Sequence, residues 1–264
     1  MTYPRKWEDL SKLCDRHMPA LSRIFLYMLH KILRVCKAKV LFSGTTTAPR
    51  LATYAQAFWR RGVPRTLCMW SVIGVKKVAN CRPAHDQRAQ YSGHKKYHCF
   101  KYQTLQSPDG MFIHSMCCCV STNFREGLIV HCFRCADGRR GDGYILRQSN
   151  LLEFLNHEAT IIEQLYVVFG DSAYPNSNVM ISMFRGRSLL EWAVAFNEVL
   201  VIVLVSVEWG YAQVCNNFAY VDWKRQLKIE SMPVEAIWLV GVFLKNCLTC
   251  HFGSNQKAIR NCSG

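Results

Sequence analysis

The chain has 264 residues, half of them hydrophobic, and carries a formal net charge of +15 from 33 Lys and Arg against 18 Asp and Glu. This length accommodates one large domain, or one domain with a small accessory region. The hydrophobic content excludes disorder on compositional grounds. The positive charge is typical of proteins with a polyanionic partner, nucleic acid first and an anionic membrane surface second. A basic surface without a specific partner is the alternative.

The 14 cysteines are interpreted as reduced, buried side chains of an intracellular protein. Met1 to Leu13 is polar and mixed in charge, without the apolar region of a secretory signal. Cys117–Cys119 occupy an alternating strand pattern, which is a poor framework for disulfides. The most apolar run, Val199 to Val207, has about half the length needed to span a bilayer, so we expect no transmembrane segment.

The spacing of apolar residues predicts two N-terminal helices, Trp7–Cys14 and a longer helix whose apolar face runs from Leu21 to Leu33, with a break at Asp15–Pro19. From the spacing alone an ordinary helical hairpin is favoured, and a helix-turn-helix that contacts DNA is the alternative. The basic residues of the second helix are Arg23, His30, Lys31 and Arg34. A loop at Ser43–Pro49 and a helix at Tyr54–Arg61 follow.

The middle of the chain predicts strands. Trp70–Val75 is an apolar run of strand length, and an Asp-Gly turn at Ser107–Gly110 joins the alternating run Tyr97–Thr104 to a second strand, Met111–Val120. Gly127–Phe133 predicts a third strand, and Tyr166–Gly170 a further one.

Four helices are predicted in the second half. Asp142 opens and could cap the first, which continues to Leu155. The others cover Phe184–Glu198, Val205–Tyr220 and Trp238–Cys250. The order of elements favours a mixed sheet with helices on its faces, in an α/β or α+β domain.

Two acids stand out by their position. Asp171 directly follows the strand Tyr166–Gly170, and Glu208 lies in an apolar helix on a face that we expect to be buried. Two buried acids of this kind would suit a divalent metal ion. The alternatives are a turn or cap role for Asp171 and an ion pair with an arginine for Glu208.

Four blocks, in this order, resemble the PIF/Harbinger-type DDE transposases, which are also described as DDE superfamily endonucleases. They are Tyr91–His98 (YSGHKKYH), Gly138–Asp142 (GRRGD), Gly170–Pro175 (GDSAYP) and Val207–Gly210 (VEWG). The resemblance covers most of the chain, from about Trp7 to Gly253, and includes the segments Asn217–Tyr220 and Asn246–Cys250.

The resemblance implies a ribonuclease-H-like fold in which three acids hold two divalent ions, Mg²⁺ or Mn²⁺, for cleavage of DNA phosphodiester bonds. Asp171 matches the second acid and Glu208 the third, so both are candidate catalytic and metal-binding residues. Asp142 matches a supporting acid of the Gly-Arg-Arg-His-Asp block, where Gly141 replaces the usual His.

The chain departs from the family pattern at the first acid. By resemblance that acid falls at Ile73 if Gly74 is the glycine of the motif, or at Gly74 if Trp70 is aligned instead. Neither residue is acidic, and Asp86 lies beyond Arg82-Pro83. Leu204 also occupies a position where the family usually has Arg. The pattern favours a decayed or domesticated copy with impaired catalysis, because loss of one member of such a unit costs orders of magnitude in rate.

A basic cluster beside aromatic residues is the candidate DNA-binding surface, with a lysine-protected strand edge as the alternative. It consists of His94, Lys95, Lys96, His98 and Lys101, and is joined by Arg139 and Arg140. Two Cys-x-x-Cys pairs, Cys132/Cys135 and Cys247/Cys250, leave a shared zinc site as a less favoured alternative.

The resemblance divides the chain into an N-terminal helical region (1–66), a DDE endonuclease domain (67–255) and a tail (256–264). It implies DNA as the partner and the nucleus, or else the cytoplasm, as the location. An accessory DNA-binding protein and a homo-oligomer stay open, and no membrane is expected. The alternative function is a catalytically inactive DNA-binding or protein-interaction module, or a non-functional relic.

Overall fold

The computed structural model describes residues 7–40, 48–116, 124–125, 128–129, 136–162, 165–222 and 232–253. The predicted strand at Gly127–Phe133 lies mostly outside this part of the chain, as do Cys117–Cys119, Cys132 and Cys135. Leu128–Ile129 (β6) is a short strand paired with Phe124–Arg125 (β5).

The N-terminal helices are α1 (Trp7–Cys14) and α2 (Met18–Val40), and the predicted break between them is confirmed. Leu29 and Leu33 of α2 are buried in the main hydrophobic core. The predicted apolar face is wrong at two positions, since Ile24 and Met28 are exposed. A short 3₁₀ turn, Ala48–Arg50, leads into α3 (Leu51–Trp59), which contacts the first strand.

The sheet is built around β1 (Cys68–Ala79), which is longer than the predicted Trp70–Val75. One neighbour is the antiparallel strand β3 (Tyr97–Gln106), and the other is the parallel strand β8 (Tyr166–Gly170). The parallel strand β9 (Met180–Ser182) lies beyond β8.

β3 also pairs with three shorter strands, which extend the antiparallel half of the sheet: β2 (Tyr91–Ser92), β4 (Phe112–Met116) and β7 (Ala136–Asp137). The β3–β4 pairing confirms the predicted hairpin in the described residues. A four-residue helix, α4 (Gln87–Gln90), precedes β2.

Helices cover both faces of the sheet. The predicted helix from Asp142 is two helices, α5 (Asp142–Gln148) and α6 (Leu151–Ile162), because Asn150 adopts a positive φ of 51° between them. The two predicted helices at Phe184–Glu198 and Val205–Tyr220 are a single helix, α7 (Glu191–Asn217). The last helix, α8 (Val234–Phe252), confirms the prediction and follows a 3₁₀ turn at Ala219–Asp222.

Two hydrophobic clusters lie on opposite faces of the sheet. The larger includes Val72 and Phe169 and is covered by residues of α2, α7 and α8. The smaller includes Ile73 and Val168 and is covered by residues of α3, α5 and α6. Neighbouring residues of a strand point to opposite faces, so consecutive residues of β1 and β8 contribute to different clusters.

Two helices, α7 and α8, are long and apolar enough to cross a membrane when judged by length and composition alone. Core helices of soluble proteins meet the same criteria, and the most apolar stretches of α7 and α8 are one-third and one-half buried inside the protein.

Candidate active site

The candidate site lies where β1 and β8 run side by side. Val72 is paired with Phe169 in parallel register, so two residues further along both strands Gly74 is level with Asp171. Asp171 directly follows β8, as predicted, and therefore lies at the carboxyl edge of the parallel strands. Both positions that the sequence offers for the first acid, residues 73 and 74, are thus next to the end of β8.

Residues 73 and 74 differ in the face that they occupy. The Ile73 side chain is fully buried in the smaller cluster, and its Cγ2 atom would lie 2.9 Å from a Cβ atom at Gly170. Gly74 faces α7 instead, where a Cβ atom would lie 2.9 Å from Val207 Cγ1 and 3.1 Å from the Tyr211 hydroxyl oxygen. Only a side chain at residue 74 would point toward the helix that carries Glu208.

Asp171 is half-buried, and its carboxylate stabilises a turn. Its Oδ1 atom accepts a hydrogen bond of 2.8 Å from the Ala173 backbone N–H, and its carbonyl oxygen accepts one from the Tyr174 N–H at 3.1 Å. This is the local bonding by which Asp residues commonly fix turns. The turn role that the sequence left open for Asp171 is therefore present.

Glu208 lies on the solvent side of α7, and the expectation that its face of the helix is buried is wrong. Val207, Gly210, Tyr211 and Val214 occupy the buried face. One residue turns the helix by about 100°, so Glu208 is carried away from the sheet. Gly210 allows close packing, because a Cβ atom there would lie 2.5 Å from the Gln106 side chain.

Asp142 is held by an ion pair with Lys101. Its Oδ1 atom lies 3.1 Å from Lys101 Nζ, and the two side chains are 19% and 7% exposed. Lys101 Nζ also donates a hydrogen bond to the Arg140 carbonyl oxygen. Lys101 is thus committed to this loop, and its predicted role in phosphate contact is wrong. The predicted cap role of Asp142 is also wrong, since Gly141 occupies the N-cap and no side chain caps α5.

Two buried tyrosines, which the sequence analysis missed, lie among these groups. Burial raises the pKa of Tyr174 well above its usual value. Electrostatic interactions with Asp142, Tyr211 and Asp171 raise the pKa further, in that order of size. Burial also raises the pKa of Tyr211, whose hydroxyl lies 2.6 Å from Thr104 Oγ1. Tyr174 lies in the GDSAYP block. Tyr211 follows the buried Val207 by four residues on the same helix, so helical spacing alone predicts that Tyr211 is buried.

The other predicted DNA-binding residues lie around the β2–β3 turn and the loop before α5. His94, Lys95 and Lys96 are exposed in the turn, whereas His98 is partly buried and packs edge-on against Tyr91 at 5.3 Å. Arg139 and Arg140 are exposed, and the Arg140 guanidinium lies over the Tyr144 ring at 4.6 Å.

The model of one protein family, described as DDE superfamily endonuclease, matches residues 114–246. This range is half of the chain and contains Asp142, Asp171 and Glu208. The chain belongs to the DDE superfamily endonucleases. Neither curated proteins nor solved structures provide a significant match to it. The matched range begins in β4, and so does not include β1, where the first acid is expected.

DDE superfamily endonucleases act on DNA and generally use divalent metal ions. Within the described ranges, no group of three His, Cys, Asp or Glu residues is arranged to hold a metal ion. The Asp171 carboxylate accepts a hydrogen bond from the Ala173 backbone N–H in its own turn, Glu208 is exposed, and Asp142 is paired with Lys101. The residues that the structure describes therefore do not fit the metal site that the family implies. None of the cysteines whose side chains the structure describes forms a disulfide, but their predicted burial is wrong at Cys14, Cys247 and Cys250, which are exposed.

Proposed function

We propose that this DDE superfamily protein is a transposase-derived, PIF/Harbinger-type chain that binds DNA and whose metal-dependent cleavage of DNA is impaired. The observation that carries the proposal is the position of Gly74, which is level with Asp171 and directed toward the helix bearing Glu208. In this proposal Gly74 replaces the first acid, and Asp171 and Glu208 are the second and third.

A ribonuclease-H-like arrangement belongs to the same proposal. The antiparallel strands β1, β3 and β4 lie on one side of the sheet, and the parallel strands β8 and β9 extend it beyond β1. This mixed sheet with helices on both faces is compatible with that fold. The region 1–66 would be the helix-turn-helix-like part, 67–255 the endonuclease domain and 256–264 a tail.

DNA binding is supported by charge rather than by a single contact. The net charge of +15 is large for a chain of this length, and phosphate contacts supply most of the affinity of non-specific DNA binding. The exposed side chains of His94, Lys95, Lys96, Arg139 and Arg140, with His98 beside them, are the proposed contacts. A nuclear location follows from this proposal, with the cytoplasm as the alternative.

Loss of the first acid favours an alternative within the same family. A domesticated protein that binds DNA or another protein needs the fold but no metal site. An accessory DNA-binding protein or self-association would be compatible with either function. Mg²⁺ or Mn²⁺ would bind weakly or not at all, because no acid in the described part of the chain completes a group of three with Asp171 and Glu208.

A plasmid-nicking assay with Mg²⁺ or Mn²⁺, run beside a gel-shift assay in EDTA, tests the proposal. We expect DNA retention without metal, and nicking no greater than that of the Asp171→Asn variant. Nicking that disappears in Asp171→Asn would show an active endonuclease and overturn the impairment. A folded protein that retains no DNA would overturn the DNA-binding proposal.

A further inference from the structure

A basic groove lies on the antiparallel side of the sheet, in two adjoining recesses. The first is an open depression of about 600 Å³ lined by Arg82, Arg88, Tyr91 and Arg139, among others. The second is an open depression of about 540 Å³ and shares Arg88 and Arg139 with the first. Because two arginines line both recesses, the two form one continuous surface, which we call the arginine groove.

The arginine groove combines cations with aromatic rings. Arg82, Arg88 and Arg139 are exposed, and the Arg82 Nε atom donates a 2.8 Å hydrogen bond to Gln87 Oε1, which also lines the first recess. Tyr91 is 41% exposed in the first recess, and Tyr144 lines the second. Asp86 is the acid among the residues of the second recess, so the charge of the described lining is positive.

The groove leads toward the end of β8. Arg139 and Arg140 continue directly into Asp142, whose pairing with Lys101 fixes this loop. The start of α5 then contacts the turn after Asp171, since a Cβ atom at Gly143 would lie 3.4 Å from the Ala173 carbonyl oxygen. A chain of phosphates along the arginines would therefore be directed to Asp171.

We infer that the arginine groove binds a single DNA strand, with its phosphates on Arg82, Arg88 and Arg139 and a base stacked on Tyr91. Alternation of arginines with exposed aromatic rings is the chemistry of single-strand binding, because every base has a face that stacks on an aromatic ring. A duplex offers its phosphates to such a groove but keeps its base faces stacked inside the helix. The inference rests on the proposed DNA-binding function and adds a site and a strand type to it.

The test measures the affinity of the full chain for a fluorescent 20-nucleotide single strand and for the matching duplex at several salt concentrations. The double variant Arg82→Ala/Arg88→Ala should weaken single-strand binding by about tenfold or more. The slope of log binding constant against log salt concentration should become roughly 1.4 less steep, since each phosphate contact on a single strand contributes about 0.7 to that slope. Arg185→Ala/Arg187→Ala removes the same charge from exposed arginines outside the groove and should weaken binding by less than about threefold.

Variants at Tyr91 distinguish binding of a single strand from binding of a duplex. Tyr91→Ala should weaken single-strand binding by about tenfold and leave duplex binding within about twofold, whereas Tyr91→Phe should retain both. Thermal unfolding of each variant is the control for retention of the fold.

The two proposals fail in different ways. If the wild-type chain binds no DNA, the proposed function is overturned and the groove with it. If the wild-type chain binds but Arg82→Ala/Arg88→Ala matches the Arg185→Ala/Arg187→Ala control, only the groove is overturned. Equal single-strand affinity of Tyr91→Ala and the wild type would overturn the single-strand assignment.

Discussion

Gly74 and Val207 are in contact across the interface of β1 and α7, and a Cβ atom at residue 74 would lie 2.9 Å from Val207 Cγ1. This separation is shorter than an ordinary carbon–carbon contact, which is about 3.5–4.0 Å. Any side chain at residue 74 therefore clashes with Val207, and the Tyr211 hydroxyl oxygen, 3.1 Å from the same Cβ atom, must also shift slightly.

We predict that Gly74→Ala destabilises the protein by about 1–3 kcal/mol through overpacking. Val207→Ala should relieve the clash between residues 74 and 207. The double variant should therefore be about 1 kcal/mol more stable than adding the two single-variant effects predicts. Urea unfolding of the four proteins gives the coupling free energy. Additive effects would show that residues 74 and 207 are not in contact.

A carboxylate at residue 74 should restore metal binding. We predict that Gly74→Asp in a Val207→Ala background gains a Mn²⁺-dependent rise in melting temperature, because Asp171 would then have a second acid level with it. Gly74→Asn in the same background is the matched control and should not respond. Equal responses of the Asp and Asn variants would contradict the assignment of residue 74 as the position of the first acid.

The Lys101–Asp142 pair should stabilise the loop before α5. Lys101→Met leaves a largely buried carboxylate and the Arg140 carbonyl oxygen without this cation, which we expect to cost roughly 2–3 kcal/mol. Adding Asp142→Asn removes the uncompensated charge and should recover part of this loss. The free energy of unfolding measures both effects, and a double variant that is no more stable than Lys101→Met would argue against the ion pair.

Lys245 should make stability depend on alkaline pH. Its Nζ atom donates to the Gly110 carbonyl oxygen and lies 4.9 Å from the centre of the Phe112 ring. Burial lowers the pKa of Lys245 from 10.5 to about 8, although the charges of Asp109 and Cys250 oppose this shift. The folded protein thus releases the proton at lower pH than the unfolded chain does.

The sign of the Lys245 effect follows from proton binding. Between about pH 8 and 10.5 the unfolded state holds more protons at this residue, so stability rises with pH by roughly 3 kcal/mol over that window. The free energy of unfolding of the wild type should therefore rise relative to that of Lys245→Met as pH increases. Lys95→Met, at an exposed lysine, is the control, and a pH-independent difference for Lys245→Met would refute the prediction.

The sequence predicted four strands of the sheet, β1, β3, β4 and β8, and the position of Asp171 directly after β8, but it missed the short strands β2, β7 and β9. Tyr166–Gly170 and the hairpin after Tyr97 carry local signals, namely an apolar run and an Asp-Gly turn, that need no distant partner. The interruption predicted in α7 is absent because packing of residues such as Val203 and Val207 in the core overrides the low helix propensity of a Val- and Ile-rich run.

The site was less predictable because its contacts join distant parts of the chain. The strand pattern alone leaves Lys101 free for phosphate contact, because its partner Asp142 is 41 residues away in the chain. The exposure of Glu208, in contrast, could have been inferred from the helical spacing of Val207, Tyr211 and Val214 on the buried face. The choice between residues 73 and 74 required the register of β1 and β8, which no local pattern specifies.

β1 joins the two halves of the sheet, because Val72 is paired with Gln106 on one side and with Phe169 on the other. Breaking either pairing exposes an edge of this strand, so opening of one half loosens the other. Amide hydrogens of Val72 and its neighbours should consequently exchange with solvent only through global unfolding, as the last to be labelled by deuterium in the described part of the chain. The strand that lacks a carboxylate beside Asp171 is thus the one on which the cooperativity of the whole sheet depends.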